Sequence, residues 1–411
     1  MINWKIKTRG QRPIALDIGH SSIKMIQLAI NGGHISVLAA DKARIDSRIN
    51  GDPDERRDFV VSKIKQMLLE GNFRGKKVIS CLTSDRLKIT SLRLARAESE
   101  KIGQALRKEA AQRFGLDPET DAINYMLVGD VHQGDEIKSE FILFAADNES
   151  IKNHIELLEE VGLRPVGIDM VPCALFRSFG RSLQRQEDKE HAAVCVDVGS
   201  RFTTVVFGRG REISFVKQIP IGGESFNKEV ATKLGVTINE AEMLRGKLRM
   251  ERTACPKRSL WDSGQTSEGR HGQVGINNQE AVLETLDAST RQVMVDAINA
   301  VSEQLAREIS LCFRYYTVTF RGKRVERAVF SGGEAYERIL LNVLKRQLAV
   351  EIEMAQPLRG FDMTSLNFDS DKRGFLCEWA VAVGLGLKGW NEDGESGKEC
   401  LATSEAQKVG A

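Results

Sequence analysis

A short motif occurs twice in this chain, and its repetition restricts the folds that the chain can adopt. In the first copy an apolar strand reaches Asp17, turns at Gly19, and returns along a second strand that carries Lys24. In the second copy Asp197 and Gly199 have the same spacing between two valine-rich segments. Glycine allows a tight turn, and backbone amides gathered in one concavity favour an anion. Each copy therefore predicts a strand–turn–strand hairpin whose turn binds phosphate, although a single copy also fits an ordinary hairpin.

The candidate ligands lie in these two turns and at the strand ends beside them. Lys24 would add a positive charge to a bound phosphate. A carboxylate at a strand end can hold the inner waters of a magnesium ion, which prefers one or two carboxylates together with phosphate oxygens. The predicted phosphate-binding residues are Gly19, His20, Ser21, Ser22, Lys24, Gly199, Ser200, Arg201 and Thr203, and the predicted metal ligands are Asp17 and Asp197. A plain turn histidine is the alternative interpretation of His20.

A third glycine-rich segment follows the strand predicted over residues 328–330. Gly332 and Gly333 join that strand to a helical pattern, and glycines there let the backbone lie flat against a ligand. Two phosphate turns followed by such a Gly-Gly turn, in this order, resemble the actin-like ATPase superfamily. The resemblance implies an α/β fold with two related lobes, each of which contributes a hairpin that contacts the phosphates of ATP. It also implies a bound magnesium ion and a Gly-Gly turn that borders the adenosine.

The composition narrows the possible partners and compartment. The 59 basic and 57 acidic residues nearly cancel, so charge does not favour nucleic acid as a partner. The longest apolar run, residues 379–387, is far shorter than the ~20 residues that a membrane span requires. The first residues also lack the apolar region of a secretory signal. We therefore expect a cytoplasmic protein that meets a membrane only through its partners.

An additional α+β segment and several later motifs resemble one family within the superfamily. The segment 77–160 is similar to the extra subdomain of the type IV pilus assembly protein family PilM and, more loosely, to that of the division protein FtsA. The motifs at 162–175, 219–226, 239–242 and 380–387 resemble PilM in order and spacing. The resemblance implies a first actin-like domain at 13–76 and 161–190, to which residues 376–390 return, and an inserted subdomain at 77–160. It implies a second actin-like domain at 191–225 and 325–375 and a further subdomain at 226–324 with a mobile loop at 251–286. Residues 1–12 and 391–411 would be flexible tails.

The adenosine side of the predicted site depends on a helix that begins near residue 238. Thr237 and Glu240 have the spacing of a capping box, and Glu242 and Arg245 then share one helix face. In the superfamily the matching Glu and a Lys meet the ribose and adenine, and Arg245 replaces that Lys. A surface ion pair on an exposed helix is the alternative. The implied adenosine-binding residues are Gly222, Gly223, Glu242, Arg245, Gly332, Gly333 and Glu334.

The resemblance also implies a function. PilM proteins are ATP-binding scaffolds of the pilus machine, peripheral to the inner membrane, that bind the N-terminal cytoplasmic peptide of a PilN-like membrane protein and can form homo-oligomers. The strand at 87–94 and the helix at 100–114 either supply an edge and a wall for that peptide or build the core of the subdomain.

The position of the catalytic acid remains open in the sequence. Val171 stands where actin-like enzymes commonly carry an acid, so we expect slow or absent ATP hydrolysis unless Asp169 substitutes. A small-molecule kinase, an FtsA-like filament protein and a cytoplasmic part of a type II secretion protein remain as alternatives.

Overall fold

The computed structural model describes residues 11–31, 34–95, 99–133, 136–180, 192–210, 212–254, 286–320, 325, 327–364, 366 and 376–388. The strands are β1 (Gln11–Ile18), β2 (Ser22–Asn31), β3 (His34–Arg44), β4 (Lys77–Cys81), β5 (Lys88–Ala95), β6 (Ala122–Gln133), β7 (Glu136–Ala146), β8 (Arg164–Asp169), β9 (Ala192–Val198), β10 (Thr203–Arg209), β11 (Glu212–Ile219), β12 (Arg327–Ser331) and β13 (Glu351–Met354). The α-helices are α1 (Pro53–Glu70), α2 (Ser99–Phe114), α3 (Asn148–Glu160), α4 (Val171–Gly180), α5 (Gly223–Leu234), α6 (Ile238–Ala254), α7 (Ala288–Thr319), α8 (Arg338–Leu348) and α9 (Ala380–Gly386).

Two five-stranded sheets of the same topology form the two lobes. The first sheet has the order β3-β2-β1-β4-β8 and the second has the order β11-β10-β9-β12-β13. In each sheet the first three strands are antiparallel and the last two pair in parallel. The inner strands have near-continuous apolar runs, such as the buried Ile14, Ala15 and Leu16, because both faces of each sheet are covered. The repeated motif thus corresponds to a repeated lobe.

The two hairpin turns have matching hydrogen bonds. The amide of Gly19 donates to the carbonyl of Ser22 at 2.9 Å, and the amide of Gly199 donates to the carbonyl of Phe202 at 3.0 Å. Both turns connect the first two strands of their sheets. The equivalent positions of the two lobes can therefore be compared residue by residue.

The last described helix returns the chain to the first lobe. Helix α9 packs against α4 and against β1. Gly384 allows α9 to lie close to α4, since a Cβ at this position would meet the α4 backbone. Gly386 allows α9 to lie close to the first sheet, since a Cβ there would be 3.0 Å from the Leu28 side chain. Apart from the bounds of the insert and of the segments discussed below, the predicted domain bounds stay predictions.

A three-stranded sheet with the order β5-β7-β6 forms the insert, together with α2. Successive residues of β7 alternate between its two faces. Phe141 and Leu143 pack with Leu106 of α2, whereas Ile142 and Phe144 belong to the buried cluster that includes the second lobe. The interior between β5 and α2 is therefore filled by the insert's own core, as the second interpretation above expects. The peptide interpretation stays a prediction.

The structure corrects the predicted start and end of the insert at 77–160. Strand β4 lies between β1 and β8 in the first sheet, and α3 packs on β8 and α1. The sequence pattern did not reveal this because parallel strands are paired by residues far apart in the chain. The insert consists of β5, α2, β6 and β7.

Three other predicted segments lie wholly or partly outside the described residues. Helix α6 extends through Ala254, so the predicted loop at 251–286 begins as helix, and its residues 255–285 are outside the description. Residues 1–10 and 391–411 of the predicted tails are also outside it, whereas β1 begins at Gln11. Within the described chain, no helix combines the length and apolar character needed to cross a bilayer.

Candidate functional site

A cavity of about 880 Å³ lies between the two lobes, and both hairpin turns open onto it. The Gly-Gly turn after β12 and the first turns of α5 and α6 complete its wall. We name this cavity the nucleotide cavity after the prediction made above. The sequence-predicted residues that line it are Asp17, Gly19, His20, Ser21, Ser22, Lys24, Asp197, Gly199, Ser200, Arg201, Gly223, Glu242, Arg245, Gly332, Gly333 and Glu334. Three segments that are far apart in the sequence therefore meet at one site.

Thr203 is predicted as a phosphate ligand, but the structure places it away from the cavity wall. Its hydroxyl is buried and donates to the carbonyl of Ile221 at 2.7 Å. The next residue, Thr204, is the partner of Asp197 across the hairpin and lines the cavity. Adjacent residues of a strand point to opposite faces, so the one-residue difference decides which threonine reaches the site.

Gly222 also does not line the cavity. Its role is to let the start of α5 approach the second hairpin turn closely. A Cβ at this position would lie 2.6 Å from the carbonyl oxygen of Gly199. The amides of Gly223 and Glu224 donate to the carbonyls of Gly199 and Ser200, at 3.0 and 2.7 Å. The missing side chain thus lets the N-terminus of α5 support the second turn.

Lys24 and Asp17 form a buried ion pair at the base of the first turn. They are direct partners across the hairpin, and the Lys24 Nζ lies 3.0 Å from Asp17 Oδ2. Burial disfavours the charged lysine, but the attraction of Asp17, and then of Asp197 and Glu378, outweighs it and raises the pKa of Lys24. The lysine therefore keeps its positive charge inside the cavity.

Asp197 is the corresponding carboxylate of the second lobe, and its surroundings differ. Threonine replaces lysine as its cross-strand partner, and the hydroxyl of Ser331 donates to Asp197 Oδ1 at 2.8 Å. Burial, reinforced by repulsion from Asp17, raises the pKa of Asp197 to about 6 despite Ser331 and Lys24. A cation bound beside this carboxylate would offset the cost of its buried charge.

Replacing Asp197 with asparagine is expected to stabilise the ligand-free protein at pH 7.5. The folded-state pKa lies above the unfolded value, so this carboxyl favours folding less as the pH rises from about 4 to about 6. Above that window the buried charge costs on the order of 1–3 kcal/mol, which Asn removes. Urea unfolding should show this gain at pH 7.5 and little of it at pH 4.5.

Asp17→Asn is the matched control for that experiment. It removes the carboxylate that neutralises the buried Lys24, so we expect destabilisation where Asp197→Asn stabilises. A gain from Asp197→Asn that is equal at both pH values would contradict the assigned cause.

In the part of the cavity where the sequence predicts adenosine binding, two arginines converge on one largely buried glutamate. The Arg245 Nη2 donates to Glu334 Oε2 at 2.6 Å, and Arg249 Nη2 donates to the same oxygen. Burial alone would raise the pKa of Glu334, but the two guanidinium groups lower it to about 2. Arg249 was missed in the sequence, although its spacing of four residues from Arg245 places both on one helix face.

Arg245 and Glu242 do not form the surface ion pair considered as the alternative above. Arg245 is only 3% exposed and also donates to Asn227 Oδ1 at 2.6 Å. Glu242 instead accepts a hydrogen bond from Arg44, at the end of β3 in the first lobe. A second cross-lobe bond joins the Ser47 hydroxyl to Asn239 Oδ1 at 2.8 Å. These contacts connect the lobes across the cavity, and the sequence motifs gave no signal for Arg44 or Ser47.

The position expected to hold a catalytic acid is apolar in the structure. Val171 lines the cavity. Asp169 is held elsewhere, since Arg177 Nη1 donates to it at 2.9 Å and Lys388 Nζ lies 3.5 Å from it. Asp169 also does not line the cavity.

The donor set of the cavity fits magnesium held jointly with phosphate oxygens. No cluster of three or more His, Cys, Asp or Glu suited to a metal occurs among the residues described. Magnesium does not require such a cluster, because it commonly takes one or two carboxylates and keeps several waters. Asp17 and Asp197 supply two carboxylates beside the two turns.

Comparisons with known proteins agree with this architecture. Residues 15–252 match the family model of type IV pilus assembly protein PilM. A solved PilM-PilN type IV pilus biogenesis complex aligns with a TM-score of 0.68 and 19% identity, over 92% of this chain and 98% of that one. The ethanolamine utilization protein EutJ from Carboxydothermus hydrogenoformans aligns with a TM-score of 0.49 and 11% identity, over 92% and 89%. The predicted family resemblance and the predicted actin-like fold are confirmed.

Proposed function

Because this chain belongs to the PilM family of type IV pilus assembly proteins, we propose that it is an ATP-binding scaffold of the pilus machinery. The observation that carries the proposal is the pair of equivalent hairpin turns that open onto one cavity between the lobes. Their amides would hold the phosphates of ATP, and Asp17 and Asp197 would hold magnesium. The cavity wall around Glu242, Arg245 and Glu334 would receive the adenosine.

Nucleotide binding would act through the angle between the lobes, since both contribute to the same site. The insert can sense that angle because it contacts the second lobe through a buried polar network. Arg93 Nε donates to Glu140 Oε2 at 2.6 Å, and the hydroxyl of Tyr315 in α7 donates to Glu140 Oε1 at 3.0 Å. Glu140 is only 1% exposed. A change in the angle between the lobes would therefore be transmitted through these hydrogen bonds to the insert and its surface.

We further propose that ATP hydrolysis is slow or absent. The attacking water needs a group that positions it. Val171 supplies none, and Asp169 is engaged by Arg177 and Lys388. Bound ATP would then serve as a structural ligand whose presence keeps the lobes closed.

The proposed partner is the N-terminal cytoplasmic peptide of a PilN-like inner-membrane protein, which would keep this protein at the cytoplasmic face of that membrane. A solved structure with the same fold is a PilM-PilN complex. Since side chains fill the space between β5 and α2, we expect the peptide on an outer surface of the insert.

Calorimetry with magnesium and ATP tests the proposal directly. We expect saturable binding, steady-state phosphate release well below the ~1 s⁻¹ of slow typical enzymes, and peptide affinity that differs between the ATP-loaded and ATP-free protein. Absence of ATP binding would reject the nucleotide site, and rapid turnover would reject the non-catalytic role. A panel of sugars tests the kinase alternative, and pelleting with ATP tests the filament alternative.

A further inference from the structure

A second, smaller cavity of about 310 Å³ lies beside the first hairpin turn, between α1, α3 and the segment that follows β4. We call it the side pocket. Val60 and Leu157 contribute apolar surface, and Arg56 and Arg201 contribute two guanidinium groups. His20 and Arg201 line both the side pocket and the nucleotide cavity. The two cavities are therefore adjacent and share part of their walls.

Arg56 has one guanidinium nitrogen that is paired and one that is not. Its Nη2 donates to the carbonyl oxygen of Gly19 at 2.8 Å, which ties it to the first turn. Its Nη1 is buried and has no hydrogen-bond partner within the described chain. A buried polar nitrogen without an acceptor is costly, and more so when it belongs to a charged group. The side pocket therefore contains an unsatisfied donor.

The two guanidinium groups also repel each other. The pKa of Arg56 is lowered, first by burial and then by the positive charge of Arg201. Arg201 has an acidic partner, since its Nε donates to both carboxylate oxygens of Glu224 at 3.1 Å. An anion near both guanidinium groups would be attracted to each of them, and these attractions would offset the repulsion between the two groups.

Of the other charged groups of the side pocket, Asp85 and Arg57 have partners, and Arg86 is exposed. Asp85 is its carboxylate, and it lies 3.7 Å from the His20 ring and accepts from Thr83. Arg57 pairs with Glu160 at 2.7 Å. The buried donor without an acceptor therefore belongs to Arg56.

We propose that the side pocket binds a phosphate-class oxyanion, held by the guanidinium groups of Arg56 and Arg201. Guanidinium donors match the geometry of phosphate oxygens and form strong charge-assisted hydrogen bonds with them. Because Arg56 also holds the carbonyl of Gly19, occupancy of the side pocket is coupled to the shape of the first phosphate turn. By linkage, an anion bound there alters affinity in the nucleotide cavity, and the reverse also holds.

Methyl NMR of the full chain, titrated with inorganic phosphate in the absence of nucleotide, tests this proposal. Val60 and Leu157 line only the side pocket, whereas Ile238 and Val381 line only the nucleotide cavity. We expect saturable shifts at Val60 and Leu157, and an at least tenfold weaker response in Arg56→Gln. Lys65→Gln removes the same charge from an exposed position of α1 and should leave the response unchanged.

Shifts confined to Ile238 and Val381 would overturn the proposal, because phosphate would then occupy only the nucleotide cavity. An unchanged response in Arg56→Gln would overturn it as well. If that variant does not fold, Arg201→Gln serves in its place and should weaken the response at Val60. The readout needs no bound ATP, so a failure of ATP binding would leave this result standing.

Discussion

Replacing Gly384 with alanine is expected to destabilise the protein by about 3 kcal/mol or more, at or beyond the upper range for overpacking. Helix α9 lies so close to α4 that a Cβ on Gly384 would be 1.8 Å from the carbonyl oxygen of Ala174. That atom belongs to the backbone of a buried helix, so it cannot rotate away as a side chain would. The Gly384 carbonyl also accepts from Arg177 at 2.6 Å, so a shift of α9 disturbs this bond too.

Gly246→Ala provides the control for that experiment. Gly246 lies within α6, and no heavy atom lies within 4 Å of the Cβ that alanine would add. Alanine exceeds glycine in helix propensity by about 1 kcal/mol, so this variant should be neutral or slightly more stable. Urea unfolding followed by circular dichroism compares the two. Equal midpoints for both variants would contradict the close packing of α9 on α4.

The features that were predictable from the sequence depend on local chemistry. The two Asp-x-Gly turns require only a strand end, a carboxylate and a residue that tolerates a tight turn, all within a few positions. Their repetition indicated related lobes, and the strand orders of the two sheets match. Likewise, the capping-box spacing of Thr237 and Glu240 predicted the start of α6, where Thr237 Oγ1 and Glu240 Oε2 lie 2.8 Å apart.

The features that were missed depend on contacts between distant segments. The position of β4 inside the first sheet follows from parallel pairing with β1 and β8, which no local pattern encodes. Arg44 meets Glu242 only because two lobes close on each other. Thr203 is predicted as a phosphate ligand but does not line the cavity, because the facing direction of a strand residue depends on the register. Local rules therefore located the turns, and the tertiary fold decided which neighbouring side chains reach them.

Replacing Gly332 with alanine is expected to weaken binding of magnesium-ATP by about 100-fold, equivalent to about 2.7 kcal/mol. Gly332 has φ +92°, a conformation that L-residues with side chains rarely adopt. A Cβ there would also lie 2.3 Å from the carbonyl oxygen of Val198. Val198 ends β9 immediately before the second hairpin turn, so relief of this clash displaces either that turn or the Gly-Gly turn.

Gly333→Ala separates this effect from a general loss of glycine in the same turn. A Cβ on Gly333 would have no protein heavy atom within 4 Å, so that variant should unfold at the temperature of the unchanged protein and lose less affinity than Gly332→Ala. Calorimetric titration at a temperature where both variants are folded gives the comparison. Undiminished affinity in Gly332→Ala would mean that ATP does not require the second hairpin and the Gly-Gly turn to keep their relative positions. The proposal of one nucleotide site shared by both lobes would then fail, because that site requires these two turns to keep their relative positions.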